Sequence, residues 1–530
     1  MIKIAMTGAG SIGFTRKLVR DVLGVPELAD THFALHDVSQ HNLQMVEQLV
    51  RRDIEHNRLP ARVTASTDRR EAFKDASYVL CTIRQGGLEA FETDISIPLK
   101  YGIDQCVGDT LCAGGIMYAQ RTVHELLAIC NDIKAVAKPG ALFLNYANPM
   151  AMNTWACNAY GGVKTVGLCH GVQGAHWQVV QCTQMWARQQ GLLAEEKALT
   201  KHDVQTVFAG INHQTWCVQA TWRDEAGGTH DMIPLLPDLF ASHPTFQRTE
   251  KVRVDVLKRF GFYSTESNGH LSEYVPWYRK RLATEAGPAE AERWLDLSTW
   301  INGETGGYLR VCTEGRNWFE SDFPKWLAEE PPAIGQDKRS EEHGSWIIEG
   351  LETGRVYRGH FNVMNRGHIR NLPDGCCIEI PGYVDRTGIQ LPVVGELPPA
   401  CAATCSASVR VQQMAMEAAI RGDAMLLKQA MLHDPLTAAV CDPEEIWQMT
   451  DEMLVAQAQW LPQFMASGAV AAAEKNLAAH AAAGTRVRLR EGFQGAARIE
   501  TRSVEQLRAS SDASVLDADK AQKARAAATA

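Results

Sequence analysis

The sequence predicts an α/β protein in which a doubly wound parallel sheet is followed by a second, mixed α+β domain. Three observations predict it. An apolar run at the N-terminus passes through a glycine-rich turn into a helix. Further short apolar runs then alternate with segments of helical periodicity. Beyond Asp203 the character changes to an extended segment, a Pro- and Trp-containing region and a long helical tract.

Taken in order, Ile2 to Thr7 reads as a buried strand, Gly8 to Gly13 as a turn, Phe14 to Leu23 as a helix and His32 to His36 as the next strand. Tyr78 to Ile83, Leu142 to Tyr146 and Thr165 to Leu168 continue the strand series, and Ile116 to Ala137 carries apolar residues at three- and four-residue spacing, the mark of a helix. Thr206 to Cys217 reads as one extended run interrupted by a polar cluster. Asn371 to Pro399 reads as turn-rich, and Met414 to Phe464 as helical throughout. The expected domains are residues 1–200 for a dinucleotide, 201–464 for substrate, metal and oligomer contacts, and an Ala-rich extension at 465–530, partly disordered.

The chain has 530 residues, 45% hydrophobic and 22% charged, enough to bury a large core. A net charge of -9 leaves no cation excess for a phosphate backbone, so no nucleic-acid partner is expected. The opening Met1-Ile2-Lys3-Ile4 runs straight into the glycine turn, so no leader is expected; no stretch is apolar enough to span a membrane, and 14 Cys lie at irregular spacing. The expectation is a cytoplasmic protein with reduced thiols.

Gly8-x-Gly10-x-x-Gly13 follows a strand and opens a helix, and Asp37 ends the next strand. This is the context in which the motif binds a dinucleotide: tight turn, close backbone approach to a pyrophosphate, close helix packing. Gly8, Gly10, Ser11 and Gly13 are the cofactor-binding candidates, and the sheet is accordingly Rossmann-like. Asp37 accepts from a ribose and repels a 2′-phosphate, which favours NAD over NADP, although the motif alone also fits FAD.

Cys169 and His170 emerge at the end of the Thr165 strand, the edge at which open α/β sheets bind ligands. His213 lies in the polar cluster Gly210-Ile211-Asn212-His213. A thiolate and an imidazole could together hold a divalent metal with positions left open. A Cys and a His 44 residues apart are more often unrelated, so spacing alone does not decide. Asn148 and Asn153, in Asn145 to Asn153, offer amides suited to sugar hydroxyls or simply cap a turn. Asp109 to Ile116 reads either as a second phosphate or nicotinamide loop or as a helix start.

These segments, with Asp104-Gln105 to Ile116, Thr265-Glu266-Ser267 to Trp277 and Asn371 to Glu379, occur in an order that resembles glycoside hydrolase family 4, most of all its α-galactosidases. The family lies outside the usual two-carboxylate mechanism. The resemblance implies hydrolysis of an unphosphorylated α-glycoside, most like an α-galactoside. NAD oxidises C3, the C2 proton is lost, the aglycone is eliminated, water adds and the sugar is re-reduced. It implies Cys169 and His213 as metal ligands, manganese where ligand softness alone would suggest zinc, and His170 as the acid for the leaving oxygen. Asn148 matches a substrate-binding position, and His270 and Tyr274 are alternative bases for C2. A homo-oligomer is also implied.

Gly171 departs from the serine usual in the galactosidases, which leaves α-glucosides and α-uronides open as substrates. A 2-hydroxy-acid dehydrogenase with lactate/malate dehydrogenase-like architecture is the reading of another class, and it requires no metal.

Overall fold

The computed structural model describes residues 1–284, 286–297, 301–487 and 489–509. Six parallel strands, β1 (Lys3–Thr7), β2 (His32–His36), β3 (Arg62–Ser66), β4 (Tyr78–Cys81), β5 (Leu142–Asn145) and β6 (Thr165–Gly167), lie in the order β3-β2-β1-β4-β5-β6. This is the doubly wound order expected, with the strand order reversing beside β1, where the crevice for a ligand opens.

The sheet does not stop there. β7 (Val204–Ile211), β8 (Gln214–Arg223), β9 (Thr229–Asp231), β10 (Tyr263–Ser264), β11 (Tyr357–Met364), β12 (Cys377–Asp385) and β13 (Gly388–Gln390) extend it by antiparallel pairing. Two joins are narrow: β11 meets β6 at Asn362 and Gly167, and β12 meets β7 at Glu379 and Gly210. Gly167 is fixed by this seam, since a Cβ there would lie 2.4 Å from Thr154 Oγ1 and 2.8 Å from Asn362 Cβ.

One continuous core spans both parts. Ile4, Leu35, Leu80 and Leu144 from the parallel strands pack in the same cluster as Ile211, Ile378 and Ile380 from the antiparallel ones. The helices Cys112–Val136 and Pro399–Arg421 contribute Ile116, Val123, Val409 and Ala415 to it. No helix among the described residues is long and apolar enough to cross a membrane.

Three expectations change in detail. Thr206 to Cys217 is two strands of a hairpin, turned at Asn212 and His213, with His213 at φ 63°. Asn371 to Pro399 contains β12 and β13. Met414 to Phe464 is a succession of helices divided at Gly422, Asp434-Pro435 and Asp442-Pro443, each Asp an N-cap.

Of the Ala-rich extension, Ala469–Ala483 is a helix that buries Val470 and Ala473 in the main core. Residues 489–508 form a strap: Arg490 pairs with Glu445 at 2.9 Å, Arg498 with Glu92 at 3.2 Å and Arg502 with Glu314 at 3.0 Å. Between these anchors Ala496 N donates to Asp104 Oδ2 at 2.9 Å, and the Thr305 hydroxyl, 2.7 Å from both Ala496 O and Asp104 Oδ1, shares its one proton between them. Residues 510–530, the remainder of the segment expected to be disordered, lie outside the described residues.

Candidate active site

The glycine turn is built as its composition demands. Gly8 has φ +81°, and a Cβ on it would sit 2.7 Å from the Thr82 carbonyl carbon. Gly10 donates its N–H to Asp37 Oδ2 at 2.8 Å, and Ser39 N donates to the other oxygen, Oδ1, at 2.8 Å. Ser11 stands at the N-cap of the helix Ile12–Leu23 without a side-chain capping bond, and Gly13 lies in its first turn. A bare helix N-terminus beside a carboxylate fixed at the end of β2 fits a pyrophosphate and a ribose.

Gly8→Ala therefore combines a strained left-handed residue, roughly 1–3 kcal/mol, with a backbone collision. NAD affinity is expected to fall by about tenfold or more, read by titration of protein fluorescence; unchanged affinity would separate this turn from the cofactor.

Cys169 and His213 converge although 44 residues separate them. Cys169 Sγ lies 3.2 Å from His213 Nε2, and Glu266 Oε1 lies 3.5 Å from the sulfur and 3.9 Å from Nε2. The approach runs across the seam: Cys169 leaves β6, His213 lies in the turn between β7 and β8, and β11 and β12 stand between β6 and β7 and join them into one sheet. The tautomer of His213 is set by a relay. Thr110 Oγ1 gives its one proton to Asp109 Oδ1 at 2.8 Å, so His213 Nδ1, 2.9 Å from Thr110 Oγ1, is the donor to that hydroxyl. Nε2 is left as a lone pair facing the thiol, the arrangement found behind metal-ligating imidazoles.

Burial, then the charges of Glu266 and Glu379, pushes the Cys169 thiol well above its usual range. Coordination to a divalent cation reverses that, since a coordinating thiol is deprotonated. The donor set thus fits such a cation.

His170 projects from the next position, 39% exposed at its side chain, with Nε2 2.6 Å from Glu342 Oε1. Lys17 Nζ meets the same oxygen at 3.3 Å. Burial alone would raise Glu342, but His170 and Lys17 outweigh it and hold its carboxyl down at about 2. Phe14, from the first turn of the glycine-turn helix, lies 5.9 Å from the His170 ring. The dinucleotide half and the thiol–imidazole half therefore touch.

His270 and Tyr274 share the short helix Asn268–Tyr274. The His270 ring lies 4.8 Å from that of His213, with Ser267 Oγ 2.7 Å from its Nδ1. Burial and the neighbouring His213 press its pKa down to about 4, so it is neutral. Tyr274, one turn on, is 5.9 Å from His270 and held well above the ordinary phenol range by burial. Asn148 gives its amide to Asp109 Oδ2 at 2.8 Å, beside the relay. Asn153 is fully buried and gives its amide to the Ala147 carbonyl at 2.9 Å, where it shapes the loop that carries Asn148.

Several polar groups at the site were not named as site residues from the sequence: Glu266, Glu342 with Lys17, and Glu379; Asp109 and Thr110 lie in the segment read as a candidate loop or helix start, just ahead of the helix Cys112–Val136. Glu379 is 1% exposed and accepts from Thr215 Oγ1 at 2.8 Å, and burial pushes its carboxyl up to about 7. The unfolded chain releases that proton near 4.5, so stability is lost as pH rises from there through 7. Glu379→Gln is expected to flatten this slope, shrinking the stability difference between pH 5 and pH 8 by about 3 kcal/mol at most in the metal-free protein. Urea denaturation at the two pH values measures it, and equal slopes in both proteins would refute it.

The sequence model described as family 4 glycosyl hydrolase matches residues 3–185, and that of the family's C-terminal domain matches residues 208–437. The chain belongs to family 4 of the glycosyl hydrolases. An α-galactosidase of Rhizobium meliloti is 54% identical over 97% of this chain and 99% of its own length. An α-galactosidase of Bacillus subtilis is 31% identical over 88% of this chain and 100% of its own. The fold is that of a structure from Thermotoga maritima, a 6-phospho-β-glucosidase with manganese, NAD+ and glucose-6-phosphate. Its TM-score is 0.66 at 21% identity, over 87% of this chain and 99% of the other. Family membership displaces the reading as a 2-hydroxy-acid dehydrogenase.

Proposed function

We propose that this family 4 enzyme hydrolyses an unphosphorylated α-galactoside with NAD and a divalent cation, most suitably manganese. The observation that carries the reading is the contact between the two halves: Phe14 of the glycine-turn helix packs on His170, one peptide bond from Cys169 in the thiol–imidazole cluster. The galactoside is supported by the two α-galactosidase relatives at 54% and 31% identity.

NAD, when bound, supplies a reversible hydride acceptor for C3 of the sugar, and the cation a Lewis acid toward its C2 and C3 oxygens. Gly8, Gly10, Ser11, Gly13 and Asp37 would seat the dinucleotide; Cys169 and His213 would hold the cation. His270, which lies against His213, takes the C2 proton, acidic while C3 is at the ketone level. Tyr274, one turn further along the same helix, keeps its proton. His170, ion-paired with Glu342, gives a proton to the departing glycosidic oxygen. Asn148 aligns the sugar from the Asp109 side of the site.

The fourteen free thiols, Cys169 among them, fit a reducing cytoplasm. Assembly as a homo-oligomer belongs to the same proposal and is read by light scattering.

The test is release of 4-nitrophenol from its α-galactoside by chelator-treated protein, with NAD, manganese and a thiol reductant restored singly and together, beside the α-glucoside and α-glucuronide. Release that needs all three additions, with the galactoside fastest, is the expected result. Release with none of them would overturn the cofactor reading, and a faster glucoside or glucuronide would overturn the substrate.

A further inference from the structure

The geometry assigns Glu266 to the cation site as a third protein donor, and Gly171 as the residue that admits it. The inference rests on the reading of Cys169 and His213 as cation ligands and adds to it. Glu266 Oε1 is 3.5 Å from Cys169 Sγ and 3.9 Å from His213 Nε2, and one ligand atom from each residue lies within 4.8 Å of the others. The carboxylate reaches this position because position 171 has no side chain. A Cβ there would stand 1.8 Å from Oε1 and 2.7 Å from the carboxyl carbon, so any other residue forces the carboxylate out of this position.

A second trio, Asp109, His213 and His270, meets the same distance limit, but both oxygens of its carboxylate already accept hydrogen bonds. Asp109 accepts from Thr110 on one oxygen and from Asn148 on the other. His213 Nδ1 is bound to Thr110, and His270 Nδ1 faces Ser267. Cys169 Sγ, His213 Nε2 and Glu266 Oε1, by contrast, face one another.

The third donor changes what the site selects. A thiolate and an imidazole alone favour soft, zinc-like ions, whereas a carboxylate oxygen is the donor that suits manganese and magnesium. Thiolate and carboxylate together balance a charge of +2, and three donors leave positions open for substrate oxygens. Gly171 and Glu266 thus act as a pair, and a side chain at 171 displaces the carboxylate from the position seen here.

The decisive measurement is manganese titration of the NAD-saturated full-length protein, followed by the paramagnetic resonance of free Mn2+. Glu266→Gln and Gly171→Ala are each expected to weaken manganese binding by about tenfold or more, the smallest loss that removal of even an outer-shell partner produces. The Gly171→Ala/Glu266→Gln double variant should bind no more weakly than the poorer single one, because both remove one interaction. Glu266→Gln should also shift the manganese-to-zinc preference toward zinc.

Cys169→Ser and His213→Ala serve as references. If these two weaken binding while the near-isosteric Glu266→Gln binds manganese like the parent, Glu266 is not a ligand and the inference fails. If none of the three changes binding, the cation reading of Cys169 and His213 fails with it. Additive losses in the double variant would sever Gly171 from Glu266.

Discussion

His213→Ala is expected to lower kcat/KM on 4-nitrophenyl α-galactoside by about 10³-fold or more, equivalent to roughly 4 kcal/mol of transition-state stabilisation, with NAD affinity unchanged. The imidazole does two things in the structure: Nε2 faces the thiol, and Nδ1 ties the β7–β8 turn to Thr110 and, through it, to Asp109. It does so from a left-handed backbone at φ 63°, a conformation that His and Asn tolerate better than most side chains. His213→Asn therefore serves as the companion variant, since it keeps the turn and removes the ring nitrogens. Both variants should lose activity alike. An active His213→Asn enzyme beside a dead His213→Ala enzyme would assign His213 to the turn and not to the chemistry.

Arg279→Met is expected to cost about 3–5 kcal/mol of stability, the penalty for leaving one partner of a buried ion pair uncompensated. Arg279 and Asp104 are both 0% exposed and pair at 2.7 Å. The guanidinium also donates to Ser272 Oγ at 2.8 Å and to the Gly303 carbonyl at 2.5 Å. Without it, Asp104 keeps only Thr305 Oγ1 and Ala496 N as partners among those described. Pairing the change with Asp104→Asn, which removes the stranded charge, should recover part of the loss. A shift in the urea midpoint equivalent to less than about 1 kcal/mol for Arg279→Met would show that the pair is not what anchors this region.

What the sequence disclosed follows the range over which each feature is encoded. The glycine turn was legible because six consecutive residues specify one backbone path, and Gly8 and Gly10 are each demanded by an atom that a Cβ would strike. Cys169 and His213 could be paired only through the family resemblance. Their approach depends on β11 and β12, drawn from residues more than 140 positions beyond His213, being inserted beside β6 and β7.

The hairpin at Asn212 and His213 escaped a reading of alternation because its turn lacks the glycine that ordinarily announces one. Met414 to Phe464 looked continuous because its apolar residues recur across the breaks, although Asp434-Pro435 and Asp442-Pro443 each carry a helix start. Glu266 was hidden for a different reason. Its position depends on a hydrogen atom at residue 171, and a missing side chain leaves no pattern to find.

The strap at residues 489–508 bears on the order in which the enzyme is assembled. Ala496 closes on Asp104 across 392 residues of chain, and Asp104 stands five residues before the Asp109 that steadies His213. Translation delivers the loop early and its brace very late, so a nascent chain that already holds every sugar- and cofactor-facing residue still lacks the brace behind one of them. The contacts of Asp104 are then completed by the tail and not by the domain that carries the chemistry.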